Sequence, residues 1–109
     1  MIEKIVLDFL NNKKIKAFME KPSNLKEYVI IEKTGGKKSN HLCNSTIAIQ
    51  SISTTLLKAA KLNEKIKELM NDLTLYDNVI KIELNADYNF TDVDTKTYRY
   101  QAVFNITYY

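Results

Sequence analysis

The sequence predicts an α+β fold: a largely antiparallel five-stranded sheet with two helices packed on one face, in the order α-β-β-β-α-β-β. Three observations carry this. Apolar residues recur at helical spacing near the start and again between Leu56 and Leu73. Five other runs alternate with a period of two or are apolar throughout, as strands do. The strand runs are joined by connections compatible with hairpins. At 109 residues, with 45% hydrophobic and 27% charged, the chain reads as a single domain, 1–109, of ordinary globular balance.

The elements follow in order. In IEKIVLDFLNN, Ile2, Ile5, Val6 and Phe9 fall at i, i+3, i+4 and i+7, giving a short helix one apolar face, with Asn11 and Asn12 as stop residues. Lys14 to Glu20 is expected as a first strand, with Ile15, Ala17 and Met19 on one side, ended by Pro22. Tyr28 to Lys33 is apolar on both faces and belongs inside the sheet. His41 to Ile52 resumes the alternation, with Ile47 and Ile49 on one face and Thr46, Ala48 and Gln50 on the other. Ser53 or Thr54 is expected to cap a long helix that stops near Asp77-Asn78. Val79 to Asn85 forms a fourth strand, with Ile80, Ile82 and Leu84 on one face. In Tyr98 to Tyr109, Tyr98, Tyr100, Ala102, Phe104, Ile106 and Tyr108 line one face. Arg99, Gln101, Asn105 and Thr107 line the other, so one side is buried and one is wet or meets a partner.

Charge and cysteine limit the functional classes. The net charge is +3, and fifteen lysines and one arginine, Arg99, are scattered along the chain. That scatter reads mainly as solubility rather than sequence-specific DNA recognition. Cys43 stands alone and staples nothing, which favours a reducing compartment. Met1 to Leu10 carries Glu3 and Asp8 within its apolar run, unlike a signal peptide, and no window reaches the roughly 20 apolar residues of a membrane span.

Catalytic constellations are hard to assemble. His41 and Cys43 would share a strand face, but no orienting group or oxyanion donor can be placed beside them. Two ligands are too few for zinc. Asp87, Asp92 and Asp94 in ADYNFTDVDTKTY evoke a cation loop, yet the turn glycine that calcium loops use is missing, and Asx turns explain such residues locally. TGGKK precedes a strand, so Lys37 and Lys38 are not a phosphate-loop lysine pair. The expectation is a non-enzyme with no cofactor and no metal.

Two segments remain as contact candidates. TGGKKSNH, Thr34, Gly35, Gly36, Lys37, Lys38, Ser39, Asn40 and His41, holds both glycines of the chain. It reads either as a solvated hairpin loop or as a flexible arm whose glycines bend and whose lysines meet an acidic or polar groove. The loop from Ala86 to Lys96 carries Asp87, Tyr88, Asn89, Phe90 and Asp92, with Phe90 assigned to the core and Tyr88 to an interface.

The pattern of EYVIIEKTGG (Glu27 to Gly36), AIQS (Ala48 to Ser51), LLKAAKLNEKIKELM, LNADYNFTD (Leu84 to Asp92) and YRYQAVFNITYY resembles tail terminators, the tail completion proteins of long-tailed phages and prophages of low-GC Gram-positive bacteria. The resemblance covers nearly the whole chain, and its most distinctive parts are the EKTGG turn and the YRYQAVF strand. It implies a sheet backed by helices that assembles as a hexameric ring at the head-proximal end of the tail tube. The ring ends tube polymerisation and gives head connector proteins a docking surface while DNA passes through without sequence specificity. It further implies assembly in the bacterial cytoplasm, a final place at the tail–head junction, and no membrane. The hairpin Thr34 to His41 would then reach a neighbouring subunit or the tail-tube protein. A head–tail stopper or other neck protein is the near alternative, and a nucleic-acid-binding module of a mobile element a more distant one.

Overall fold

The computed structural model describes residues 1–76 and 78–109. Its elements are α1 (Ile2–Asn12), β1 (Ala17–Phe18), β2 (Tyr28–Ser39), β3 (Leu42–Ser53), α2 (Leu56–Met70), a 3-10 turn (Asn71–Leu75), β4 (Val79–Asn89) and β5 (Tyr98–Tyr108). The protein is α+β, with one five-stranded sheet in the spatial order β1-β2-β3-β5-β4.

Helix α1 buries Ile2, Val6, Phe9 and Leu10 and carries a Lys4–Asp8 ion pair at 2.7 Å on its wet side. Its end is a Schellman turn. The Ile15 amide donates to the Leu10 carbonyl at 3.0 Å and the Lys14 amide to the Asn11 carbonyl at 3.1 Å. Lys14 takes the left-handed φ of 66° that this turn needs, a position where glycine is usual. The Asn11 side chain then brackets Ala17, accepting from its amide at 3.1 Å and donating to its carbonyl at 3.2 Å. These bonds set the place of β1.

The sheet is mixed rather than largely antiparallel. Only Ala17 and Phe18 of the expected Lys14 to Glu20 strand pair, and they run parallel to Val29 and Ile30 of β2. The chain around Pro22 loops back to the starting end of the sheet instead of making a hairpin, which forces β2 into the same direction. The remaining ladders, β2–β3, β3–β5 and β4–β5, are antiparallel.

The last strand is central, not an edge. β5 lies between β3 and β4, with Ala102, Phe104 and Ile106 at 2% exposure or less. β4 takes the edge, and register shifts at Val79/Lys81 and Leu84/Ala86 break the expected single face. Ile80 and Leu84 consequently stay exposed, and Ile82 is half-buried.

Helix α2 is capped one residue later than expected: the Thr55 hydroxyl accepts from the Lys58 amide at 3.1 Å. Its α-helical hydrogen bonding ends at Met70 and tightens into the 3-10 turn. Of the expected stop, Asp77 lies outside the described residues. Buried residues of α1 and α2 share one core cluster with Val29, Ile31, Ile47, Ile49, Ala102, Phe104 and Ile106. The opposite sheet face carries a polar ladder instead. Thr46 donates to Asn105 at 3.0 Å, Gln50 donates to Gln101 at 3.1 Å, and Gln101 donates to the Tyr88 hydroxyl.

The glycines do not make the hairpin bend. Strand β2 continues through Thr34, Gly35 and Gly36 to Ser39, and neither glycine has positive φ. The turn is Asn40-His41, with φ of 51° and 69°, the two positive values of a type I′ turn. Gly35 follows a register shift after Lys33, and a Cβ there would meet open space. A Cβ on Gly36 would stand 3.0 Å from the Asn44 carbonyl oxygen and 3.1 Å from the Ser45 hydroxyl. Gly36 is therefore the packing glycine. Gly36→Ala should lower stability by about 1 kcal/mol through overpacking. Gly35→Ala should leave it unchanged or raise it by up to about 1 kcal/mol, because a strand glycine carries an entropic cost. Urea unfolding of the two variants separates these roles, and equal effects would refute the assignment.

Candidate functional site

The first candidate surface is the distal half of the β2–β3 hairpin. From Glu32 to His41 every residue is exposed, including Lys33, Lys37 and Lys38. The arm is nevertheless a strand ribbon rather than a flexible loop. On one side β5 pairs with β3 as far as Cys43, opposite Tyr108, and the Ser45 and Tyr108 hydroxyls bond at 2.8 Å. On the other side β2 is bare. Its pairing with β1 ends at Ile30, so Glu32 to Ser39 presents an unpaired strand edge among the described residues. A small hollow of about 230 Å³ lies at the tip among Lys37, Ser39, Asn40, Leu42, Cys43 and Thr107.

His41 sits in the turn with left-handed φ, while Cys43 is in β3 with its side chain half-buried on the Tyr108 side. The turn separates the two, so the shared strand face expected from their spacing does not form. Among the described residues no group of three or more His, Cys, Asp or Glu side chains gathers in a metal-holding arrangement.

The second candidate, around Asp87 to Asp92, divides into two faces. Its first residues belong to β4 rather than to a loop. Asp87 faces α2, where its carboxylate accepts from Asn63 Nδ2 at 2.6 Å and pairs with Lys67 Nζ at 2.5 Å. Lys67 also reaches Glu64 at 2.7 Å. Partial burial pushes the Asp87 carboxyl up, but the bonds from Lys67 and Asn63 outweigh it and hold the group below its ordinary value. The Asp87 bond, seconded by Glu64, raises Lys67 in turn. Asp87 is thus a structural clamp between β4 and α2, not a free contact residue.

Tyr88 and Phe90 point the other way, 41% and 39% exposed, with their rings edge to face at 5.9 Å. Phe90 does not join the core as expected. The Arg99 guanidinium lies 4.7 Å from its ring, and Arg99 Nε donates to the Phe90 carbonyl at 2.6 Å. Asn89 and Asp92 shape the turn. The Asn89 side chain accepts from the Thr91 amide at 3.0 Å, and Asp92 from the Asp94 amide at 3.1 Å. Hydrogen bonding from Thr95 holds the Asp92 carboxyl below its usual value. Asp87 and Asp92 therefore serve separate local purposes, which accounts for the acidic spacing without a cation.

A third surface escaped the sequence reading. Lysines distant in the chain converge on an open cleft of about 670 Å³ beside α2: Lys14, Lys16, Lys26, Lys58, Lys61 and Lys65. The spacing of Lys58, Lys61 and Lys65 along one helix stripe was a local hint, but the other three come together only through the Schellman turn and the loop before β2.

No protein-family model matches the chain, and no curated protein matches it in sequence. What the molecule does must be argued from these surfaces.

Replacing Asp87 by Ala leaves the Asn63 amide without its partner and Lys67 with Glu64 alone, and should cost about 1 kcal/mol of stability at neutral pH. The Asp87 contribution is complete above the ordinary carboxyl value of 3.8 and fades as pH falls below it, because the native group holds its charge longer than the unfolded one. Thermal melts should show the gap between variant and parent closing below about pH 4. A gap that persists undiminished in stronger acid would assign the loss to packing alone.

Proposed function

We propose that this chain is a structural assembly subunit of the phage tail, a tail terminator that closes as a ring, in our reading a hexamer, on the head-proximal end of the tube. One observation carries the reading: a single sheet presents two open strand edges on opposite sides. One is the bare edge of β2 from Glu32 to Ser39, the other the outer edge of the eleven-residue β4. Open edges are templates for another chain, and two different edges on opposite flanks suit the head-to-tail contact that generates rings. Thr34, Gly35, Gly36, Lys37, Lys38, Ser39, Asn40 and His41 line one patch. Tyr88, Asn89, Phe90 and Asp92 crown the other, with Tyr88 and Phe90 as exposed aromatic anchors.

In this role the partners are further copies of the chain, the tail-tube protein and the head connector proteins, with DNA passing through the ring. A stopper or other neck protein would use the same two edges and differ in its place in the particle. The sheet backed by helices that the resemblance implies is in keeping with the shared core of α1 and α2, and in the proposed ring the β2–β3 arm would reach a neighbour.

Electron microscopy of particles from the parent phage, with this gene deleted, tests the reading. Filled heads without tails beside overlong tubes are expected. Tails of normal length that fail to join heads would move the protein to the neck, and wholly normal particles would overturn the structural role. A Lys37→Glu/Lys38→Glu variant changes only exposed groups, so its melting should stay within about 0.5 kcal/mol of the parent. It should nonetheless fail to restore tail length in the deletion strain.

A further inference from the structure

We propose that the lysine cleft beside α2 binds the phosphodiester backbone of double-stranded nucleic acid. Its walls come from three parts of the chain: the turn after α1 with Lys14 and Lys16, the loop into β2 with Lys26, and the first turns of α2 with Lys58, Lys61 and Lys65. Among the described residues Glu27 is the one carboxylate of the lining, and it accepts from the Ser53 hydroxyl at 3.0 Å. The lining therefore carries a net charge of five, more than the +3 of the whole chain, so the rest of the surface is net negative. Among the described residues none of the six lysines has a carboxylate within ion-pair distance; the ion-paired lysines are Lys4, Lys67 and Lys81. Concentrated, unneutralised charge of this kind attracts a polyanion, whose own condensed cations are released as the lysines neutralise its phosphates.

The chemistry of the lining narrows the ligand. All six lysines are exposed around an open cleft, where they can meet several phosphates of one backbone. The remaining polar groups, Ser53 and Thr54, are hydroxyls at the start of the fifteen-residue α2, whose positive dipole end also favours phosphate. Among the described residues no arginine, asparagine or glutamine lines the cleft to read base edges. Its one aromatic, Tyr28, is 6% exposed and packs edge to face on Phe18, which leaves no platform for unstacked bases. Backbone contact without stacking favours the duplex, whose charge density is also higher. This assignment is independent of the ring proposal, which makes no use of the cleft.

The test is fluorescence anisotropy of the full chain with a labelled duplex of about 20 base pairs, titrated at several salt concentrations. Lys58→Gln/Lys61→Gln/Lys65→Gln keeps helix-forming side chains and removes three cleft charges. Lys33→Gln/Lys37→Gln/Lys38→Gln removes the same charge from the arm. The cleft variant should bind about tenfold or more weakly, with a salt dependence shallower by about two to three in log–log slope. The arm variant should lose less than about threefold. Lys16→Gln/Lys26→Gln, on the facing wall, should move binding in the same direction and guards against a folding defect in the α2 variant. The single strand of the same length should bind more weakly than the duplex. Absence of duplex binding at low salt, equal losses in cleft and arm variants, or tighter binding of the single strand would overturn the proposal. Tighter binding of polyglutamate than of the duplex at matched charge would also overturn it, by reassigning the cleft to an acidic protein segment.

Discussion

The unbroken pairing of β3 with β5 is the constraint on which the remainder of the molecule rests. Eleven residue pairs run from Cys43 opposite Tyr108 to Ser53 opposite Tyr98 with no register shift, whereas the β2–β3 and β4–β5 ladders are each interrupted. The central pair puts Ile47 beside Phe104 and Ile49 beside Ala102, all on the face that the helices cover. Each such large side chain contributes on the order of 1.5–3 kcal/mol by leaving water, so this seam anchors α1 and α2. A slip of one residue would send the same side chains to the polar face, where Gln50, Gln101 and Tyr88 form their ladder. The register is consequently held from both sides of the sheet.

Much of the architecture was legible because it is local. The alternation of Tyr98 to Tyr108 announces a half-buried strand, and the i, i+3, i+4 repeat places both helices. Sheet order and direction are not local properties. The first strand runs parallel because of a Schellman turn at Lys14 and a bracket from Asn11, neither of which has a period. The final strand sits centrally because both of its edges find a partner strand, β3 and β4, while β4, with Lys81 and Glu83 beside Ile80, tolerates solvent. Gly35 and Gly36 look like turn residues in the sequence, yet Asn40 and His41 accept the positive φ instead. For the candidate surfaces the same division holds. The exposed arm and the Tyr88–Phe90 pair lie in continuous segments and could be found, though Asp87 turned out to face α2. The lysine cleft could not, since it is built from residues as far apart as Lys14 and Lys65.

The surfaces occupy different parts of the molecule. The two open edges flank the sheet, and the lysine cleft lies at the end where β2 begins and β3 finishes. The β2–β3 tip lies at the opposite end of the strands, an arrangement that elongates the molecule to 44 Å along its longest axis against 25 and 23 Å across. The proposed protein and polyanion contacts would therefore be spatially separable, since the open strand edges and the cleft do not share residues. The lysine cleft at one end carries a net charge of five, while the opposite tip carries Lys33, Lys37 and Lys38.

Both open edges are irregular. The shift between Lys33 and Gly35 lies in the bare stretch of β2, and β4 carries two shifts of its own. Bulged strands twist more strongly and present a broken row of donors and acceptors, so a passing flat strand cannot zip along them. Irregularity of this kind disfavours indiscriminate edge pairing, although Glu32 to Ser39 of one edge strand and the outer side of the eleven-residue β4 lack a strand partner among the described residues. Only a partner with matching kinks can engage the full length. In the proposed ring, that irregularity would favour growth on a preformed template over free copies meeting in solution.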